Sequence, residues 1–198
     1  MTISADVAIN TILEGAKDAS EAYQNLSGGY WIDYAPESFL QGGIAMAFDR
    51  LKRNGATFNL MLEMSPKRLY EEFGVKPDGR SVKMRENQRF DILILDKSCA
   101  PRFPIEIKKA QSIHSCTKDA KRISQWISDA KGKVKCGFIV AYTCQKGKDS
   151  EGKQAQKRIT EIFEGIKEQT KATRYMPIAP KEIDHNGWMW DVACFIIE

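Results

Sequence analysis

Arg89-Phe90-Asp91-Ile92-Leu93-Ile94-Leu95-Asp96 and, after a proline-containing turn, Pro104-Ile105-Glu106-Ile107-Lys108-Lys109-Ala110 are two short, mostly apolar runs. Their length and their β-branched residues predict two buried strands. Side chains alternate faces along a strand, so Glu106 and Lys108 point one way while Ile105 and Ile107 point the other. If the two strands pair as neighbours, Asp91 comes beside Glu106. Two carboxylates that close call for a cation, and unpaired charge inside apolar strands is costly.

Upstream of this pair the chain reads as helix, helix, strand. Residues 4–26 carry a Ser4 cap and place Ala5, Ile9, Ile12, Ala16, Ala19, Tyr23 and Leu26 at helical spacing, and Gly28-Gly29 ends the segment. A second helix is predicted from Pro36 to about Arg53, closed by Asn54-Gly55. Residues 57–64 read as a strand, 66–73 as a short helix and 74–88 as a loop. Downstream, Ala120, Ile123, Ile127 and Ala130 mark an amphipathic helix. Cys136 to Thr143 is a further buried strand, and Gly152 to about Lys171 a polar helix. The chain closes with a hairpin, Tyr175 to Ile183 and Trp188 to Ile197, turning at Asn186-Gly187. The expectation is an α/β fold with a mixed central β-sheet flanked by helices, in one domain over 1–198. Within it, 1–30 is a helical extension, 36–143 the core, and 144–198 a helix plus hairpin.

A length of 198 residues with 42% hydrophobic content supports one core, not two. Five cysteines, odd in number and scattered without a CxxC pair or zinc-ligand spacing, predict a reduced, cytoplasmic setting. No apolar stretch is long enough to cross a bilayer and no charged leader precedes one, so no membrane partner is expected. Charge is uneven along the chain. Residues 97–174 hold 18 Lys+Arg against 8 Asp+Glu, residues 1–96 hold 11 against 14, and residues 175–198 hold 1 against 4. A surplus in one stretch is what a polyphosphate partner needs, although lysine-rich helix faces in solvent read the same way.

Magnesium suits a pocket lined by Asp91 and Glu106, because it takes hard oxygen ligands and is often held by one or two carboxylates plus waters. The Ile107 carbonyl is a further candidate ligand, and Mn²⁺ the natural substitute. Lys108 could orient an attacking water or offset transition-state charge, and partial burial would lower its pKa towards proton transfer.

An aspartate on one strand and Glu-x-Lys on the next resemble the PD-(D/E)xK nuclease superfamily, here as Asp91 and Glu106-Ile107-Lys108. The resemblance implies a restriction-endonuclease-like core of helix, three strands, helix and strand, which residues 36–143 follow. It also implies Mg²⁺-dependent cleavage of nucleic acid, DNA ahead of RNA and endonuclease ahead of exonuclease. In many members a glutamate of the first core helix completes the site, and Glu37 matches that place. Glu37 also lies three residues before Leu40 on the apolar line Leu40, Ile44, Phe48, Leu51. The plainer reading of Glu37 is an acid in a helix first turn, favoured by the helix dipole. Phe90 stands where the superfamily's proline would be, and Gln125 is followed four residues on by Asp129 rather than by a tyrosine, which departs from the exonuclease branch. Lys109, Lys121, Arg122 and Gln125 are the candidate nucleic-acid contacts. A homodimer or partner protein would supply any sequence selection that the 74–88 loop does not.

Other features carry less. Gly147-Lys148-Asp149-Ser150-Glu151-Gly152-Lys153-Gln154 nearly spells a phosphate-binding loop, but Gln154 stands where Ser or Thr should reach magnesium. His114 and His185 are isolated. Trp188 and Trp190 read as core or interface packing, and Glu63 as an acid at a strand rim, second to Glu37 as supplementary acid. Two other classes of function remain open: a catalytically silent nucleic-acid-binding or regulatory subunit with this fold, and a protein-interaction module docking through its first helix and last strand.

Overall fold

The computed structural model describes residues 3–65, 68, 71, 89–110, 113–130, 132, 134–148, 152–178 and 187–198. The expected 74–88 loop, most of the expected 66–73 helix, His185 and Asn186 lie outside the described residues. Among the described residues the elements run α1 (Ala5–Ser27), a 3-10 turn (Ile32–Tyr34), α2 (Glu37–Arg53), β1 (Asn59–Met64), β2 (Phe90–Leu95), β3 (Pro101–Lys109), α3 (Ile113–Asp129), β4 (Gly137–Lys146), α4 (Lys153–Thr170), β5 (Arg174–Pro177) and β6 (Trp188–Ile197).

The six strands form one sheet in the order β1-β2-β3-β4-β6-β5. β3 and β4 are parallel, joined through α3, and the other neighbours are antiparallel, so the sheet is mixed. Strand alternation sorts the core into two layers. Ile92, Ile94, Ile105, Ile107, Val140, Val192 and Cys194 face α1 and α2. Leu93, Leu95, Ile139, Ala141, Ala193 and Phe195 face α3 and α4, with Trp126 and Phe163 filling the space between. The last strand is buried almost throughout because β4 and β5 flank it and both faces are covered. No described helix is long and apolar enough to cross a membrane.

β3 begins at Pro101, three residues earlier than the expected start at Pro104. β4 joins only from Ile105 onward, so both prolines sit where β2 alone is neighbour and a missing N–H is tolerated. Gly137 makes room for this: a Cβ there would lie 2.8 Å from Pro104 Cγ.

Close approach of α1 and α2 fixes the layer over the first face. At Gly15 a Cβ would stand 2.6 Å from Ile44 Cα, and at Gly43 it would stand 2.5 Å from Ala19 Cβ. Two missing side chains thus let the helix backbones touch. Ser4 caps α1 through Val7 N, and Gly28, in the left-handed region at φ 75°, ends it.

Candidate active site

Asp91 is the second residue of β2 and Glu106 and Lys108 lie on β3, with Ile92 opposite Ile105 in the antiparallel register. One step further along that register sets Asp91 across from Glu106. Because Ile105 and Ile107 fill the α1/α2 layer, Glu106 and Lys108 turn to the α3 side of the sheet, as alternation requires. Asp91 Oδ2 accepts a hydrogen bond from Ile107 N at 2.6 Å, so its carboxylate is held against β3. The Asp91 carbonyl accepts from Gln41 Nε2 at 2.6 Å, and the same amide donates to Glu63 at 3.0 Å, tying α2 to the start of β2.

Lys108 Nζ sits among three carboxylates: 3.7 Å from Glu37 Oε2, 3.8 Å from Asp119 Oδ2 and 3.9 Å from Asp91 Oδ2. Glu37, first residue of α2, also accepts from Lys109 N at 3.0 Å. Glu37 thus opens the helix and also lies against the Lys108 ammonium. Glu106 is 1% exposed and ion-paired with Arg122, whose Nη2 also lies 3.2 Å from Asp119 Oδ1. The Arg122 guanidinium stands 5.5 Å from the centre of the Phe90 ring.

The electrostatics follow from burial and crowding. Burial pushes the Asp91 carboxyl up, against the pull of the Ile107 N–H and Lys108, and Glu63 and Glu37 push it further. Burial pushes Glu106 well above the usual carboxylate range despite Arg122, with Asp91 and Asp119 adding to the rise. Lys108 corrects the sequence reading. Burial alone would lower it, but Asp91, Glu37, Asp119 and Glu106 together outweigh that and raise it, so it is an ammonium at neutral pH.

The other expected contacts divide. Lys109 Nζ donates to the Asp33 carbonyl at 2.6 Å and lies 3.6 Å from its carboxylate, so it pins the 3-10 turn beside the site rather than facing outward. Arg122, expected on a phosphate-facing surface, is turned inward to Glu106 and Asp119. Lys121 and Gln125 lie on another face of α3. They line a separate groove of about 480 Å³ with Ser124, Gln169 and Lys171, and the Gln125 amide donates to Asp129 at 2.9 Å. None of Asp91, Glu106 or Lys108 borders that groove. Outside the site, Lys148 N donates to Gln154 Oε1 at 3.3 Å.

Asp119 is the member that sequence reasoning missed. It is 7% exposed and lies on the buried line of α3 with Cys116, Ala120 and Ile123. An acid on an apolar line was the same signal that drew attention to Glu37.

Among the described residues no three acidic, cysteine or histidine side chains gather as a preformed metal cage. The donor set still fits magnesium in kind. Glu37, Asp91, Glu106 and Asp119 set four carboxylates against two cations, Lys108 and Arg122, leaving two negative charges when all are ionised. The oxygens are hard, and magnesium needs only one or two carboxylates from the protein. No family model, no curated protein and no solved structure matches the chain.

Proposed function

We propose that the chain is a Mg²⁺-dependent nuclease that hydrolyses phosphodiester bonds, in DNA ahead of RNA and by internal cleavage, in a cytoplasmic setting. One observation carries this: the Asp91 carboxylate is held on β3 by Ile107 N, next to Glu106, with the Lys108 ammonium 3.9 Å from Asp91. The element order α2, β1, β2, β3, α3, β4 supports the restriction-endonuclease-like core that the motif resembles.

Asp91 and Glu106 would hold the metal, with the Ile107 carbonyl beside them. When bound, the ion would polarise a phosphoryl oxygen and acidify a water. The chain's own groups do the rest. Lys108, kept protonated by its acids, donates hydrogen bonds to an attacking water or to the charge that builds on the phosphoryl oxygens. It acts as a positioned cation rather than as a base. Glu37 holds Lys108 from the α2 side and fixes the β3 backbone through Lys109 N. Gln41 holds the Asp91 backbone in register, so the carboxylate stays on the β3 edge.

A second reading, a nucleic-acid-binding or regulatory subunit without turnover, is favoured by Glu106 being 1% exposed and already paired with Arg122. Incubating plasmid and labelled oligonucleotides with the protein across Mg²⁺ and Mn²⁺ separates the two. The nuclease reading expects metal-dependent cleavage that Lys108→Ala loses while still binding the oligonucleotide. Binding without cleavage under every metal condition would support the silent subunit instead.

A further inference from the structure

Asp119 touches both cations of the site and lies outside the motif that located it. Its Oδ2 is 3.8 Å from Lys108 Nζ and its Oδ1 is 3.2 Å from Arg122 Nη2. One carboxylate thus links the β3 lysine to the arginine that covers Glu106. The placement follows from α3 itself. Cys116, Ala120, Ile123 and Trp126 bury one face against the sheet, and Asp119 and Arg122, three residues apart on that side, arrive over β3 together. Two long cationic side chains have many rotamers, and burial of a shared anion between them removes that freedom. Arg122 Nε is buried with no hydrogen-bond partner among the described residues, and the guanidinium is held by Glu106, Asp119 and the Phe90 ring.

We infer that Asp119 is a positioning residue: it holds the Lys108 amine in line with Asp91 and holds Arg122 on Glu106, so that α3 and β3 present one prearranged set of groups. The inference rests on the proposed reading of the site for its catalytic meaning, but the positioning itself can be read without turnover. A structural tie between α3 and β3 would be broken by the same substitutions, yet it would not control where the lysine amine sits.

The test is Asp119→Asn in the full chain, with Asp119→Ser as the second variant should the amide not fold and Asp119→Glu as the charge-restoring control. Native protein is treated with an amine-acetylating ester, and Lys108 modification is followed by peptide mass spectrometry against Lys17 and Lys157, two exposed lysines of other helices. Loss of the Asp119 charge is expected to raise Lys108 acetylation at least about threefold, the scale of a partly screened ion pair, and Asp119→Glu to bring it back towards wild type. On oligonucleotide substrate kcat should fall about tenfold or more with KM nearly unchanged, as misplacement of a reacting group does. An unchanged Lys108 rate in a folded Asp119→Asn or Asp119→Ser chain would overturn the inference. Cleavage by the wild type alongside that result would leave the nuclease reading standing. A raised Lys108 rate in the Asp119 variants of a chain whose wild type never cleaves would keep the positioning and remove the nuclease.

Discussion

In the proposed nuclease two carboxyls and an amine would decide the chemistry, and burial and crowding set them apart from ordinary surface charges. Lys108 is raised by its acidic neighbours, so it stays cationic through neutral pH and its value lies in donated hydrogen bonds. Lys108→Ala should therefore lower kcat by about 10²–10³-fold, the usual loss when a positioned donor is removed, while oligonucleotide affinity changes little. Single-turnover cleavage with a filter-binding control measures both. Glu106 is raised by burial, so the folded chain holds its proton to higher pH than the unfolded chain does. Below the ordinary glutamate range of about 4.3 both states are protonated; above it the unfolded state ionises first, and stability falls as pH rises through the folded value. Asp91 is raised and acts in the same sense. Thermal melts from acid to neutral pH should show a shallower decline for Glu106→Gln than for wild type. An identical slope would mean that Glu106 is not buried as described. At neutral pH a divalent ion that binds only the folded site should restore stability, by about 2.7 kcal/mol at a hundredfold excess over Kd, and Asp91→Asn should abolish the effect.

At the level of the elements, β2 and β3 were legible because a buried strand with a carboxylate in it is a conflict between pattern and charge. Asp91, Glu106 and Lys108 each announced themselves by interrupting isoleucines and leucines. Asp119 and Arg122 did not, because a polar helix admits an acid and an arginine three residues apart at no evident cost, and the buried line of α3 becomes clear only once β3 lies beneath it. Lys121, Arg122 and Gln125 are candidate phosphate contacts from one helix face by sequence, but in the fold Lys121 and Gln125 line a groove while Arg122 turns to Glu106 and Asp119. The α1–α2 contact was equally hidden: Gly15, Gly42 and Gly43 look alike in sequence, yet only Gly15 and Gly43 meet backbone or Cβ atoms. Neighbouring glycines therefore have opposite expectations. Gly42→Ala meets nothing within 4 Å on an exposed helix face and should stabilise by about 0.5–1 kcal/mol. Gly43→Ala forces the helices apart and should destabilise by about 1–3 kcal/mol. Urea unfolding of the pair checks both signs at once.

Across the whole molecule the sheet separates two helical layers of opposite character. Helices α1 and α2 together carry four Lys+Arg against six Asp+Glu, and α3 and α4 carry seven against five. The basic surplus read along the chain is thus partly a property of one side of the molecule, the side towards which Glu106 and Lys108 turn. If nucleic acid lies on that side, Lys121→Glu with Lys171→Glu should reduce the slope of log affinity against log salt by about two, one for each lost phosphate contact. The charge-matched pair Lys17→Glu with Lys52→Glu, on the opposite layer, should leave the slope unchanged. Fluorescence anisotropy of a labelled oligonucleotide from low to moderate salt gives both slopes, and equal losses would assign binding to overall charge alone.

The fold's claim on function reduces to whether the space between β2, β3 and α3 accepts a divalent ion. A crystal of the protein soaked in Mn²⁺ and measured at the manganese edge tests that directly. An anomalous peak is expected between the carboxylates of Asp91 and Glu106, with Arg122 displaced from Glu106 or reoriented to Asp119. Glu106 still closed on Arg122 and no peak beside Asp91 at saturating Mn²⁺ would contradict it.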